Sequence, residues 1–476
     1  MKALLLILCS IVVACNGGGS EPSQSEPKDK DLENAFFVAT NGDDENVGSF
    51  TKPWKTIAFG VSGLKAGDHL FIREGIYKET IIIEGLHGEE THPITISGYE
   101  DERPIVDGKG LVPSLWEPLV DIKDAQHLFL EQVEIRNSRG TGIRTNGEVH
   151  HLVFRDIWMH FTGYDGIQME NSNFMTVEDS RFWDTNIVND ITGDWYEEHN
   201  WGGAILASGD PDIGLPPAHD IRILNNEIYQ SYGEGINIFG HLKGALIEGN
   251  TFVDCWAPCV FTPNSEGVVI NRNLVYQTND TRFLRDGQPG AGIAFQNEQA
   301  PDTTRPGAVR DIVVTNNLVF GCSNNLAFWH DGSVDSIENI LVAHNTFVDA
   351  KANDNDGSSV FIVDAEYKNI RIENNIFLQE SSKGDFGYSA ALEGVIFSHN
   401  LWYPGLPPEN MRSEDDVYED PLLSRTGSTL ASELKSSYFQ IGEASPAKHA
   451  AKYLDDVRKD FEGLRRDAQP TIGAFE

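Results

Sequence analysis

The chain of 476 residues carries 36 basic against 73 acidic side chains, a formal net charge of −37. So acidic a field excludes nucleic acid as a partner, because phosphate binding needs a basic surface, and any polyanionic ligand would need a local basic site. Beyond the N-terminal segment only Cys255, Cys259 and Cys322 remain; an odd number excludes a disulfide scaffold, while a Cys255–Cys259 bridge and buried free thiols both stay open.

The first element, "MKALLLILCSIVVAC", is one basic residue and an apolar run shorter than the roughly 20 residues of a membrane-spanning helix. It reads as a signal peptide over residues 1–15. Val12-Val13-Ala14-Cys15 resembles the lipobox of bacterial lipoproteins, which implies cleavage before Cys15 and lipidation of that residue. The chain is therefore expected to be exported and anchored by lipid at the outer membrane, on its periplasmic or outer face, or else secreted. Residues 16–34, rich in Gly, Ser, Pro and charge, read as a flexible tether.

Residues 35–110 come before the chain becomes regularly repetitive. From there to residue 405 one pattern returns: "IRILNNEIYQ", "GALIEGNTFVDC", "GVVINRNLVYQT", "DIVVTNNLVFGC", "NILVAHNTFVDA", "NIRIENNIFLQE" and "GVIFSHNLWYPG". Each places apolar residues at alternate positions and then an asparagine: Asn226, Asn250, Asn273, Asn317, Asn345, Asn375 and Asn400, with Ser180, Ile157 and Val133 in the same register. A further short strand lies between successive members, as in "YDGIQME", "GEGINIF" and "AGIAFQN", making three strands per repeat.

Three short strands per turn with period-2 alternation and no helical spacing predict an all-β fold, a right-handed parallel β-helix of about ten or more coils stacked at ~4.8 Å. A β-propeller would want antiparallel hairpins and longer repeats. The asparagines are expected to hold left-handed backbone at the turn between second and third strands, and to hydrogen-bond from coil to coil.

The opening "FFVATNGDDENVGSFTKPWKTIAFGVSGLKAGDHLFIREGIYKETIIIEG" and the closing "SPAKHA … DFEGLRRDAQPTIGAFE" are similar to the ends of pectate-lyase-like β-helix proteins. The resemblance makes residues 35–110 an N-terminal cap and the first coils, with "PWKTIAFG" a short capping helix, makes residues 406–476 a C-terminal cap, and implies an enzyme acting on a polysaccharide, either a lyase or a glycoside hydrolase. It chooses no reaction: none of the active-site signatures of pectate lyases, polygalacturonases or alginate lyases matches residue by residue, so no catalytic residue is carried over.

Two long loops, 183–220 and 279–310, interrupt the repeat and flank the first strand of their coils, so they are expected to wall a channel across the sheet of first strands. With Ile143, Ile167, Ile236, Val260 and Ile293 inward, alternation turns Arg144, Gln168, Glu170, Asn237, Phe239, Phe261 and Gln296 outward, with Trp329 at the far end. Aromatic faces and amides suit a sugar chain.

A lyase needs a base and a cation for the uronate carboxylate; His241 or Lys243 is the expected base, and Arg282 or Arg285 the cation. A hydrolase needs two carboxyls, available from Asp165, Glu170, Asp194, Glu197, Glu198 and Glu234, with Glu170 best placed. The expected activity is that of a lyase cleaving a uronic-acid-containing polysaccharide by β-elimination, with a hydrolase as the alternative; a non-catalytic glycan-binding protein or adhesin would show the groove without such a pair. No cofactor is required by the sequence; calcium is an option through Asp194, Glu197 and Glu198 or through "NDNDGS" at 353–358. The chain is expected to be a monomer whose partners are a polysaccharide or oligosaccharide and the membrane.

Overall fold

The computed structural model describes residues 34–112, 114–197, 200–209, 218–240, 242–298, 309–330, 336–352, 357–389, 393–430 and 433–476. Cys15, Glu198, His241 and residues 353–356 of the calcium option lie outside them.

Each repeat folds as three short strands, for example Glu234–Phe239, Lys243–Glu248 and Thr251–Cys255. All three pair in parallel with their counterparts in the next coil: Ile236 with Val260, Leu246 with Val269, Phe252 with Val275. The third strands form a 12-stranded parallel sheet. The first and second strands join in a 22-stranded sheet, continuous where Val120–Glu131 and Ile143–Arg155 run through the corner between them.

Because pairing is in register, one inward position repeats through the stack. Ile143, Ile167, Ile205, Ile236, Val260, Ile293, Leu326 and Val360 lie one above another, all fully buried. Each contributes about 1.5–3 kcal/mol of transfer free energy, and a one-residue slip would turn the whole row out into water.

The asparagine expectation needs a correction of one residue. Left-handed backbone belongs to the residue before: Asn225 (φ 55), Arg272 (φ 55), Asn316 (φ 57), His344 (φ 56), Asn374 (φ 62) and His399 (φ 54). That bend swings the next side chain inside, where the asparagine serves backbone groups that a tight turn leaves unpaired. Asn250 donates its backbone N–H to Asn273 Oδ1 at 2.9 Å and its side-chain amide to the same oxygen at 3.0 Å and to Ile223 O at 2.9 Å. The same bonds repeat from Asn226 to Asn400; Ser180 continues the ladder at one end and Asp416 at the other. The expected coil-to-coil bonding is thus what the ladder does.

The expected helix is present as Ile57–Val61, its N-terminus capped by Thr56, whose side chain accepts from Phe59 N. The segment after Tyr403 also covers a flank: Leu423, Leu434 and Phe439 pack on Tyr276, Phe320, Val348 and Leu378 of the third strands. Cys255, Cys259 and Cys322 are buried free thiols.

Candidate active site

The two long loops are built by their own polar side chains. In the first, Asn189 accepts from Asn200 N at 2.9 Å and donates to Asn200 O at 2.7 Å and Tyr232 O at 2.9 Å, while Asn186 donates to Asn200 O at 3.0 Å. This clasp delivers Trp201 to the edge of the first-strand sheet. In the second, Asp280 accepts from Arg282 N and starts the turn Thr281–Phe283; Phe283 is buried with its ring 4.7 Å from Tyr232. Arg285 and Gln288 then close a two-bond bridge across Gly287, whose φ of 81 a side chain would resist. This places Arg285 opposite the first loop.

Between the loops lies a cavity of about 760 Å³ lined by Tyr164, Trp201, Glu234, Asn237, Phe239, Phe261, Arg285, Gln296, Glu298, Trp329 and His330, with Leu206, Pro258 and Val363. Register explains the floor: Leu206, Asn237 and Phe261 stack at one outward position, and Pro263, Gln296 and Trp329 at the next. Trp329 lies 6.0 Å from Phe261, ring to ring.

Two ionisable groups meet here. Arg285 stands over two indoles, 5.3 Å from the Trp201 ring and 5.5 Å from Trp256, so aromatic faces rather than a carboxylate hold its charge. Burial draws its pKa below the usual guanidinium range, against the opposing pull of Asp286 and Glu234. Glu234, 2 % exposed, is pushed up to about 8, first by burial and then by Asp165 and Glu298; the amide of Asn237 donates to its Oε2 at 2.5 Å and Arg285 opposes the rise. Asp165, behind it, is likewise pushed up to about 8, by burial and then by Glu170, although it accepts from Gly203 N at 2.8 Å. Both carboxyls therefore carry a proton at neutral pH. Asn237 Oδ1 is buried beside this cluster and accepts no hydrogen bond from the described residues, so a donor on a ligand can pair with it.

Of the residues expected from sequence, the structure brings together Glu234, Asn237, Phe239, Phe261, Arg285, Gln296 and Trp329. Others stand elsewhere. Lys243, offered as base, begins a second strand rather than the turn after a first strand, and is ion-paired with Glu266 at 2.5 Å outside the cavity lining. Arg282 is turned back on Asp280 at 2.7 Å. Arg144 and Gln168 occupy the outward row two and one coils before Leu206, outside the cavity lining: Arg144 is paired with Asp121 at 3.0 Å, and Gln168 donates to Glu170 Oε1 at 2.9 Å. Glu170, offered as the best-placed carboxyl, is therefore also outside the lining. Asp194 is exposed and Glu197 lies 3.5 Å from Arg139; neither belongs to a metal-ligand cluster among the described residues.

Sequence reasoning missed Tyr164, Trp201, Glu298 and His330 as cavity residues. Trp201 closes the first inserted loop and His330 follows Trp329 in a strand already chosen, so position could have signalled both. Glu298 follows Gln296 by two residues on the same alternation, so position could have signalled it too; Tyr164 carries no such signal.

The architecture is that of a parallel β-helix with a loop-walled cleft on its first-strand sheet. Residues 36–203 match the family described as Pel9A-like, right handed beta helix region, and residues 198–377 that described as Right handed beta helix region. The two matches, which meet near residue 200, agree with the stacked parallel sheets in making the fold a right-handed β-helix. An uncharacterized protein of Bacillus subtilis (strain 168), YwoF, is 30% identical over 129 residues, which is 25% of this chain and 27% of that protein; the chain thus matches little more than a quarter of that relative's length. Pectate lyase Pel9A is similar in structure, with TM-score 0.51 and 15% identity over 94% of this chain and 96% of that one. An alginate lyase from Paenibacillus sp. str. FPU-7 gives 0.47 and 13% over 60% and 95%. At such identities the likeness is one of fold.

Proposed function

We propose that this protein is a carbohydrate-active enzyme that binds an acidic polysaccharide across the cleft and cleaves it by β-elimination. The observation that carries the reading is Arg285. In a chain of net charge −37, a half-buried guanidinium held by two indoles and next to protonated Glu234 makes a local basic site. A uronate carboxylate fits it: Arg285 supplies charge, while Asn237 and the neutral Glu234 offer hydrogen bonds without repulsion. Trp201, Phe239, Phe261 and Trp329 offer faces on which sugar rings stack. Lowering the charge on that carboxylate acidifies the C5 proton; a base removes it, the C4=C5 bond forms and the C4–O bond breaks, the departing oxygen taking up a proton. His330 is the imidazole among the described residues that line the cavity and is assigned here as the base.

A second reading, hydrolysis, is favoured by one observation: Glu234 and Glu298 both line the cavity, and burial pushes the Glu234 carboxyl up to about 8, toward the protonated form that a general acid needs. Incubation with uronate-containing and neutral polysaccharides decides. Ultraviolet absorbance of an unsaturated product supports elimination, new reducing ends without it support hydrolysis, and binding without cleavage overturns both. Lipidation at Cys15 would hold the enzyme at the membrane surface; Cys15→Ser should then release it from the membrane fraction, and unchanged partition would refute the anchor.

A further inference from the structure

Neighbouring residues of a β-strand send their side chains to opposite faces, so the pair His150-His151 should be split across its sheet. Instead their Nδ1 atoms lie 2.9 Å apart. The cause is the corner between first and second strands, where His151 takes left-handed backbone (φ 57) and breaks the alternation. The coil before it bends at His127 (φ 46), and the register that sets Gln126 beside His150 and Leu128 beside Leu152 puts His127 under His151. Ligand nitrogens of all three rings lie within 4.8 Å of one another.

Ring stacking accounts for two of the three. His127, His151 and Phe174 form a column at this corner, with centroids 4.6 and 4.4 Å apart and planes nearly parallel. It does not account for His150, which meets His127 and His151 edge-on at 88° and 83° and aims a nitrogen at the group instead.

We propose that His127, His150 and His151 bind a divalent transition-metal ion of the zinc class, at a site away from the cleft. Zinc–nitrogen bonds of about 2.0–2.1 Å in a tetrahedron set ligand nitrogens roughly 3.3 Å apart; the His150–His151 pair stands at 2.9 Å and all three rings offer a nitrogen within 4.8 Å of the others, so rotation of the stacked rings about their side-chain bonds would bring the three onto one ion. Imidazole donors select zinc, copper, nickel or iron over calcium and magnesium, which take oxygen. His127 and His151 border a cavity of about 620 Å³ that also reaches Glu90, leaving room for water or a carboxylate as fourth ligand. The ion would tie two successive coils together at their corner.

Untagged protein freed of metal by chelation should be titrated with Co²⁺, with Zn²⁺ as competitor. The expected result is one equivalent of Co²⁺ per chain, giving visible d–d absorption that Zn²⁺ abolishes. His150→Gln and His151→Phe should each weaken binding at least about tenfold; phenylalanine keeps a ring in the column between His127 and Phe174, so that loss cannot be put down to a lost stack. If His151→Phe does not fold, His150→Gln decides, because that ring stands outside the column. No stoichiometric uptake of either ion, or uptake unchanged by His150→Gln, overturns the site.

Discussion

The guanidinium of Arg285 lies 5.3 Å from the centre of the Trp201 ring, so the second inserted loop lays its cation on an aromatic residue of the first. Each wall of the cleft thereby completes the other. If the cation receives a uronate, Arg285→Ala should lower kcat/KM on an acidic polysaccharide about 10–100-fold, the equivalent of one charged hydrogen-bonding group. Arg285→Lys should rescue little, since an ammonium cannot spread its charge over two indoles while also offering a planar fork to a carboxylate. Full activity in both variants would remove Arg285 from the site.

The buried carboxyls set a pH dependence of stability whose sign follows from linkage. Glu234 and Asp165 hold protons to about 8 in the folded chain, whereas unfolded carboxyls release theirs near ~4. Between those values the native state binds protons that the unfolded state does not, so stability falls as pH rises through the window and levels off above about 8. Thermal melting from pH 5 to 9 should show the fall, and Glu234→Gln with Asp165→Asn should flatten it. An unaltered slope in the double variant would mean that neither group titrates as described.

Much of this molecule is written in its sequence because stacking repeats it. The inward row from Ile143 to Val360 and the asparagine row from Asn226 to Asn400 are legible as spacing alone, since each coil needs the same residue at the same place. The cleft is legible only where it uses that scaffold: Asn237, Phe261 and Gln296 follow from alternation. Lys243 misled because the length of a turn is not encoded by period, and the second strand already begins at Lys243. Tyr164 reaches the cavity from the turn between Thr162 and Ile167, which no periodicity describes. The placement of left-handed backbone one residue early at Asn225 was hidden for another reason: asparagine is equally at home as a turn residue and as a buried ladder rung, and here Asn225 and Asn226 do one each.

The ladder makes a strong demand at its middle. Asn273 accepts from both the backbone and the side chain of Asn250 and donates to Ile247 O and to Asn317. Asn273→Ala leaves several buried polar groups unpaired at once and should cost about 2–5 kcal/mol, at roughly 1–3 kcal/mol per orphaned group. Urea denaturation followed by circular dichroism measures it. A loss below 1 kcal/mol would show that water enters the stack and replaces the rung.

Glu234→Gln separates the two reactions better than any loss-of-charge variant, because glutamine copies the shape and neutrality of the protonated acid but has no proton to give. In elimination, Glu234 serves as an uncharged hydrogen-bonding neighbour of the substrate carboxylate. Glutamine can fill that part, so activity should stay within about tenfold of wild type, with the decline at alkaline pH removed, since the wild-type group ionises near 8 and then repels the substrate. In hydrolysis the proton itself must pass to the glycosidic oxygen, and the same substitution should cost about 10²–10⁴-fold in kcat. The Asn237 bond complicates neither outcome: its amide donates to Oε2 at 2.5 Å, and the carbonyl oxygen of glutamine accepts it equally well. A variant that keeps its rate and loses the alkaline decline therefore points to elimination, and a folded but inactive one to hydrolysis with Glu234 as the acid.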